Sequence, residues 1–315
     1  LKHLPSVMVS AVDWWANEAF SVVAAESSEL GGTLIFLQHG GEFGISRIKH
    51  EEKFGKCIAD KMVCFGWAPE EEPSSINLPN PRTVRYESAA LDSDPQITPK
   101  TLLFCTTAAP KHPHCITNLQ NDDEWNEYKQ WQHDFLKEIT QNIRNKTIYR
   151  PPEKDRRHGF KQSILDKFPE VRHIRDWSVP IDLAIRRSRI VAVDNRESVY
   201  LQAMALNVPT VLFYEPKFKH CRESAKPYIE LLKEVGILWN CPLAAAKHIN
   251  KIYDNPLEWW AAEKTHEARR IFVNRFCKTD PDWLKEWGQF LLKAYLKLDN
   301  EKTHPGSAAK CFNSL

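Results

Sequence analysis

Three short stretches carry side chains suited to chemistry, and each sits where an apolar run gives way to a loop. The first is Gln38-His39-Gly40-Gly41-Glu42-Phe43-Gly44, directly after TLIFL. Glycines let a backbone come close to a ligand and take positive φ, and their free amides can hold an anion. An imidazole that titrates near neutrality can take up a proton as a general base. The same residues also suit a plain turn in which the histidine caps neighbouring carbonyls. His39, Glu42, His50 and Glu51 match no standard helical ligand spacing, so no metal is expected.

The second stretch runs from Tyr149 through Arg150-Pro151-Pro152 to Gly159. Arg150 stands at a strand end, where its forked donors could clamp a phosphate. The Lys154 to Arg157 run after it suits a solvated loop equally well. The third, Val193-Asp194-Asn195-Arg196-Glu197-Ser198, leads from a strand into a helix. Ser198 and the first helical amides could meet an anion there, and Asp194 or Asn195 could equally be an ordinary N-cap. In open α/β sheets ligands bind beyond the carboxyl ends of the strands, so the position of these loops argues more strongly than their composition.

Regular elements must place these loops. From about residue 101, apolar or β-branched runs at 101–107, 146–150, 171–174, 189–194, 210–214 and 236–239 alternate with stretches of helical period. Strands separated by helices imply a parallel, doubly wound sheet, because parallel neighbours need crossover connections. Residues 1–80 read as part of a second α/β unit, with strands in TLIFLQ and KMVCFGW, a helix near 11–27 and another near 49–59. A proline-rich stretch from Pro69 to Pro99 reads as a linker, its core at 81–100. The expectation is an α/β protein of two Rossmann-like domains around a central cleft, with the first domain apparently truncated. Residues 1–80 form the first, 101–298 form the second with a helical C-terminus closing it, and 299–315 form a loose tail.

Composition narrows the function. The 315 residues are 42% hydrophobic, enough for one or two large cores, and the net charge of +2 excludes a global field for nucleic acid. No C-x-x-C occurs among the eight cysteines, which points to reduced thiols and a cytoplasmic location. No apolar run spans a bilayer and the N-terminus shows no signal-peptide pattern. The stripe Trp283, Leu284, Trp287, Phe290, Leu291, Ala294, Tyr295 and Leu298 allows two readings: a helix packed across the two domains, or one seated peripherally at the inner face of a membrane.

Taken in order, QHGGEFG, HEEKFGKCIADKMVCFGW, YRPPEKD, VDNRESVYLQAMALNVPTVLF, PYIELLKEVGIL and WW…EARRIFVNRF resemble a family of bacterial surface-carbohydrate transferases over roughly residues 5–295. That family is similar to the GT-B glycosyltransferases, and to capsule enzymes that use CMP-activated sialic acid or Kdo. The resemblance implies glycosyl transfer from a nucleotide-sugar donor to a glycan or lipid-linked acceptor, with no cofactor and no essential metal. It makes His39 the catalytic candidate and puts Gln38 and Glu42 on the acceptor side. Gly40 and Gly41 would let the substrates approach, while Arg150, Asp194, Arg196 and Ser198 would hold the donor nucleotide. Relatives start the helix of the third stretch closer to D-x-N-S-T with a glutamate four residues beyond the Thr, where this chain has Arg196, Glu197, Ser198 and Gln202. Two other readings compete: a phosphotransferase acting on a CDP-linked polyol, and a non-catalytic nucleotide- or carbohydrate-binding module.

Overall fold

Uninterrupted apolar runs mark strands buried on both faces, and in this protein they form the centres of two sheets whose strands all pair in parallel among the described residues. The structure is a computed structural model that describes residues 4–83, 100–107, 122–152, 159–173, 179–218 and 220–296. The chain divides into two compact units. Leu1–Gly44, Ile48–Val84 and Asn274–Leu315 belong to the first; Ile45–Arg47 and Arg85–Val273 belong to the second.

In the first unit β1 (Val7–Ser10), β2 (Thr33–Leu37), β3 (Lys61–Cys64) and β4 (Ser75–Asn77) lie side by side in chain order. Helices Glu18–Glu29 and His50–Ile58 make two of the crossovers. Ser75–Asn77 corrects the reading of everything after Pro69 as linker: this short, polar edge strand pairs with Met62, Val63 and Cys64. The core residues Ile35, Val63, Phe65 and Leu78 pack against Trp287 and Phe290 of helix Trp283–Leu296. The indole of Trp287 also donates to the Pro79 carbonyl at 2.8 Å. The C-terminal helix therefore completes the first unit, in contrast to the expected second domain of 101–298. Its apolar stripe finds its complement on β2 and β3.

The second unit holds β5 (Leu102–Cys105), β6 (Thr147–Arg150), β7 (Arg172–His173), β8 (Ile190–Val193), β9 (Thr210–Phe213) and β10 (Leu238–Trp239). Their spatial order is β10-β9-β8-β5-β6-β7, so the chain runs outward from β5 in one direction and then returns to its other side. This is the doubly wound arrangement expected from the alternation of runs, and it creates a topological switch point between β5 and β8. Phe104, Phe135 and Phe213 stack through its centre, with ring centroids 4.7 Å apart from Phe135 to each partner.

Among the described residues Cys64, Cys105, Cys221, Cys241 and Cys277 are in the thiol form. Cys57 is disulfide-bonded, which departs from the expectation of reduced thiols throughout. The Lys154 to Arg157 run, most of the 81–100 linker and the 299–315 tail lie outside the described residues.

Candidate active site

In the first unit β2 ends at Leu37 and the chain turns at Gln38, whose backbone N–H still donates to Val63 at 2.9 Å. The Gln38 side chain is 4% exposed. Its Oε1 accepts from the Phe65 amide at 2.8 Å and from the Trp67 indole at 2.7 Å, stitching the loop after β2 to the loop after β3. Gln38 was expected on the acceptor side. A carboxamide enclosed by two donors of its own unit instead holds the loop in place.

Gly40 and Gly44 take φ of +86° and +74°, a region closed to most L side chains. A Cβ on Gly44 would lie 2.3 Å from Trp67 Cγ, so the backbone rests directly on the indole face. The Gly44 amide donates to the buried Glu52 carboxylate at 3.2 Å. Gly41 is buried and Glu42 half-buried.

His39, between these fixed points, is exposed, and among the described residues neither ring nitrogen has a hydrogen-bond partner. Its surroundings still withdraw water from the ring. That desolvation, followed by the charges of Lys49 and Arg82, holds its pKa below the ordinary histidine value against the opposing pull of Glu51. The imidazole is accordingly neutral at pH 7 and able to accept a proton.

In the second unit the ends of β6, β5 and β8 are in register. Cys105 faces Arg150 on one side and Val193 on the other, so the loops after these three strands emerge side by side. Arg150 is buried and donates from Nη2 to the Val179 carbonyl at 3.0 Å. Desolvation lowers its pKa, with Cys105 and Asp182 opposing.

Asp194, 3% exposed, is turned inward. It accepts from Gln132 Nε2 at 3.1 Å and Asn195 Nδ2 at 3.0 Å, and it also hydrogen-bonds the Tyr128 hydroxyl. Burial pushes its pKa up to about 7, even though all three donors favour the charged form. The network continues through Gln132 to Tyr149 and Thr106, and Tyr128 accepts from the Thr107 amide at 2.9 Å. Asp194 thus braces the loops from beneath, where the sequence had it surrounding the nucleotide.

Arg196 also departs from expectation. It is 1% exposed, its guanidinium donating to Ser46 Oγ at 3.1 Å and to Cys221 Sγ at 2.9 Å, 5.0 Å above the Tyr214 ring. A guanidinium committed in this way anchors segment Ile45–Arg47, which Arg222 also holds through the Ser46 carbonyl. It does not present itself to a phosphate.

Ser198 opens helix Ser198–Ala205 and is half-buried. The N-cap is Glu197, not Asp194 or Asn195, and no side chain caps it. Asn195 Oδ1 accepts from the Glu197 amide at 3.0 Å, while the exposed Glu197 carboxylate accepts from Thr107 Oγ1 at 3.0 Å across the switch point. Sequence reasoning passed over Thr106, Thr107, Tyr128 and Gln132. The paired threonines at the end of LLFC were the available signal, since they occupy the same strand-end position as the three stretches singled out. Around the switch point the structure thus brings together Arg150, Thr107, Glu197 and Ser198 over a buried polar base.

The fold has a solved counterpart in the crystal structure of TarM, with a TM-score of 0.52 and 11% identity, covering 92% of this chain and 54% of that one. The wall teichoic acid polymerase TagF, as its H548A variant, gives 0.46 at 14% identity over 85% and 69% of the two chains. WaaG, a glycosyltransferase involved in lipopolysaccharide biosynthesis, gives 0.40 at 10% identity over 91% and 75%. This chain spans about half the length of TarM. No curated protein matches the sequence significantly. The paired Rossmann-like units have the fold of the GT-B glycosyltransferases. The model of the LIC12162 family transferases matches residues 1–291, and the chain belongs to that family of transferases.

Proposed function

We propose that the protein transfers a sugar from a nucleotide donor to a cell-surface glycan or lipid-linked acceptor, with a CMP-activated ulosonic acid as the favoured donor. The observation that carries this reading is the in-register alignment of the β6, β5 and β8 ends in a family of transferases. It gathers an arginine, hydroxyls and an uncapped helix N-terminus where doubly wound sheets hold nucleotides. Such a donor already carries a good leaving group. The enzyme therefore needs to align an acceptor hydroxyl, take its proton and stabilise the departing phosphate. As the acceptor oxygen bonds to the anomeric carbon, the bond to the nucleotide phosphate breaks, the acceptor proton passes to the His39 imidazole and the nucleotide leaves. Use of a nucleotide-activated donor fits a cytoplasmic site of action.

The experiment is a thermal-shift series with CMP, CDP, UDP and GDP, followed by turnover with CMP-linked ulosonic acids. A cytidine nucleotide gives the largest shift, and His39→Ala abolishes transfer with nucleotide affinity retained. Because the His39 pKa is depressed, the acid limb of the rate falls below pH 6.5. A variant retaining full turnover removes His39 from the mechanism. A product containing a phosphodiester would replace glycosyl transfer with the CDP-polyol reading.

A further inference from the structure

The face of helix Trp283–Leu296 that points away from the first unit's core is apolar and covered by nothing among the described residues. Trp283, Trp287, Phe290 and Ala294 pack inward. Leu284 is 67% exposed and Tyr295 61%, and Leu291, Leu292 and Leu296 are exposed with them. On a helical projection Leu284, Leu291 and Tyr295 fall within about 40° of one another, and Leu292 and Leu296 extend the arc toward Lys285 and Lys293.

The charges on this helix are one-sided. Lys285 and Lys293 are exposed and unpaired among the described residues, whereas its single acid, Glu286, is paired with Lys278 at 3.2 Å. We infer that this face docks on an anionic lipid surface, with the leucines seated in the interfacial layer and the two lysines reaching the headgroups. The helix has 14 residues, too few to cross a bilayer, and no described helix is long and apolar enough to do so. A second copy is a poorer occupant: antiparallel pairing of this face would set Lys285 of one copy beside Lys293 of the other. The surface belongs to the first unit and its test needs no turnover, so it stands or falls apart from the sugar-transfer reading.

The test is flotation of the full chain with phosphatidylcholine vesicles, alone or containing about one-third phosphatidylglycerol. Binding is expected to the anionic vesicles, weakening as salt rises. The triple variant Leu284→Gln, Leu291→Gln, Leu292→Gln lowers the partition coefficient at least tenfold. Lys285→Glu with Lys293→Glu lowers it at least as far, since each lysine near such a surface contributes roughly fivefold. All five positions are exposed, and unchanged circular dichroism and Tm establish that the variants fold. Failure of the full chain to float, or flotation unaltered in the leucine variant, overturns the inference. So does a concentration-dependent dimer in sedimentation that the leucine variant abolishes.

Discussion

Lowering the pH from 7 to 5 costs stability at His248, and His248→Phe removes that component of the pH dependence. The imidazole lies in helix Pro242–Ile252, with its ring centroid 5.2 Å from Trp239 and 4.8 Å from Trp259 in edge contact. Its Nε2 is buried and has no hydrogen-bond partner among the described residues. Desolvation, aided by the charge of Lys251, lowers its pKa to about 4. A histidine depressed in the folded state has no effect on stability above its unfolded pKa of about 6.5, where both states are neutral. As pH falls below that value the unfolded chain takes up the proton and the folded one does not. Stability is therefore lost progressively down to about pH 4. From these two pKa values the loss is about 2 kcal/mol at pH 5 and about 3 kcal/mol at the acid limit. The assay is chemical denaturation at pH 7 and pH 5 for the wild type and for His248→Phe, which keeps an aromatic ring between the tryptophans. Every other titrating group contributes equally to both proteins and cancels in the comparison. Equal pH dependence in the two, within about 0.5 kcal/mol, would refute the assignment of an unpartnered neutral imidazole.

Three further outcomes follow from the geometry of the strand-end loops. Asp194 has its pKa raised to about 7, so its own contribution to stability is lost as pH rises from the ordinary carboxylate range toward 7; the Tm of Asp194→Asn relative to the wild type therefore rises between pH 5 and 8. Gly44→Ala needs positive φ and meets the Trp67 ring, and a loss of more than about 2 kcal/mol with altered tryptophan fluorescence is expected. Gln38→Leu strands the Phe65 amide and the Trp67 indole, costing roughly 2–4 kcal/mol in denaturant melts; a change below about 0.5 kcal/mol would show that the loop does not depend on this carboxamide.

All six strands of the second sheet were legible in the sequence, because LLFC, IVAV and TVLF are buried on both faces and read as unbroken apolar runs. The first sheet was legible only at its centre. VMVS and SIN are edge strands of four and three residues, and a short edge needs little apolar character. The strand-end rule found the loops but could not give the direction of each polar side chain. Arg196 turns inward because Ser46, 150 positions earlier in the chain, supplies its partner. Gln38 does so because Phe65 and Trp67 offer two donors. The C-terminal stripe was visible, but it is wider than the core contact it makes, so periodicity alone merged Trp287, which packs inward, with Leu284, which does not.

The short excursion Ile45–Arg47 governs how this chain can be dissected. No single scission yields the second unit whole, since a recombinant piece beginning at Lys100 lacks Ile45–Arg47, whose Ser46 pairs with Cys221 and accepts from Arg196 and Arg222. Such a piece would lose the hydrogen bonds that Ser46 accepts from the two guanidiniums, each worth on the order of 1.5–3 kcal/mol to a charged group. A synthetic peptide spanning residues 38–50 should restore its melting temperature in trans, whereas one carrying Ser46→Ala should restore less.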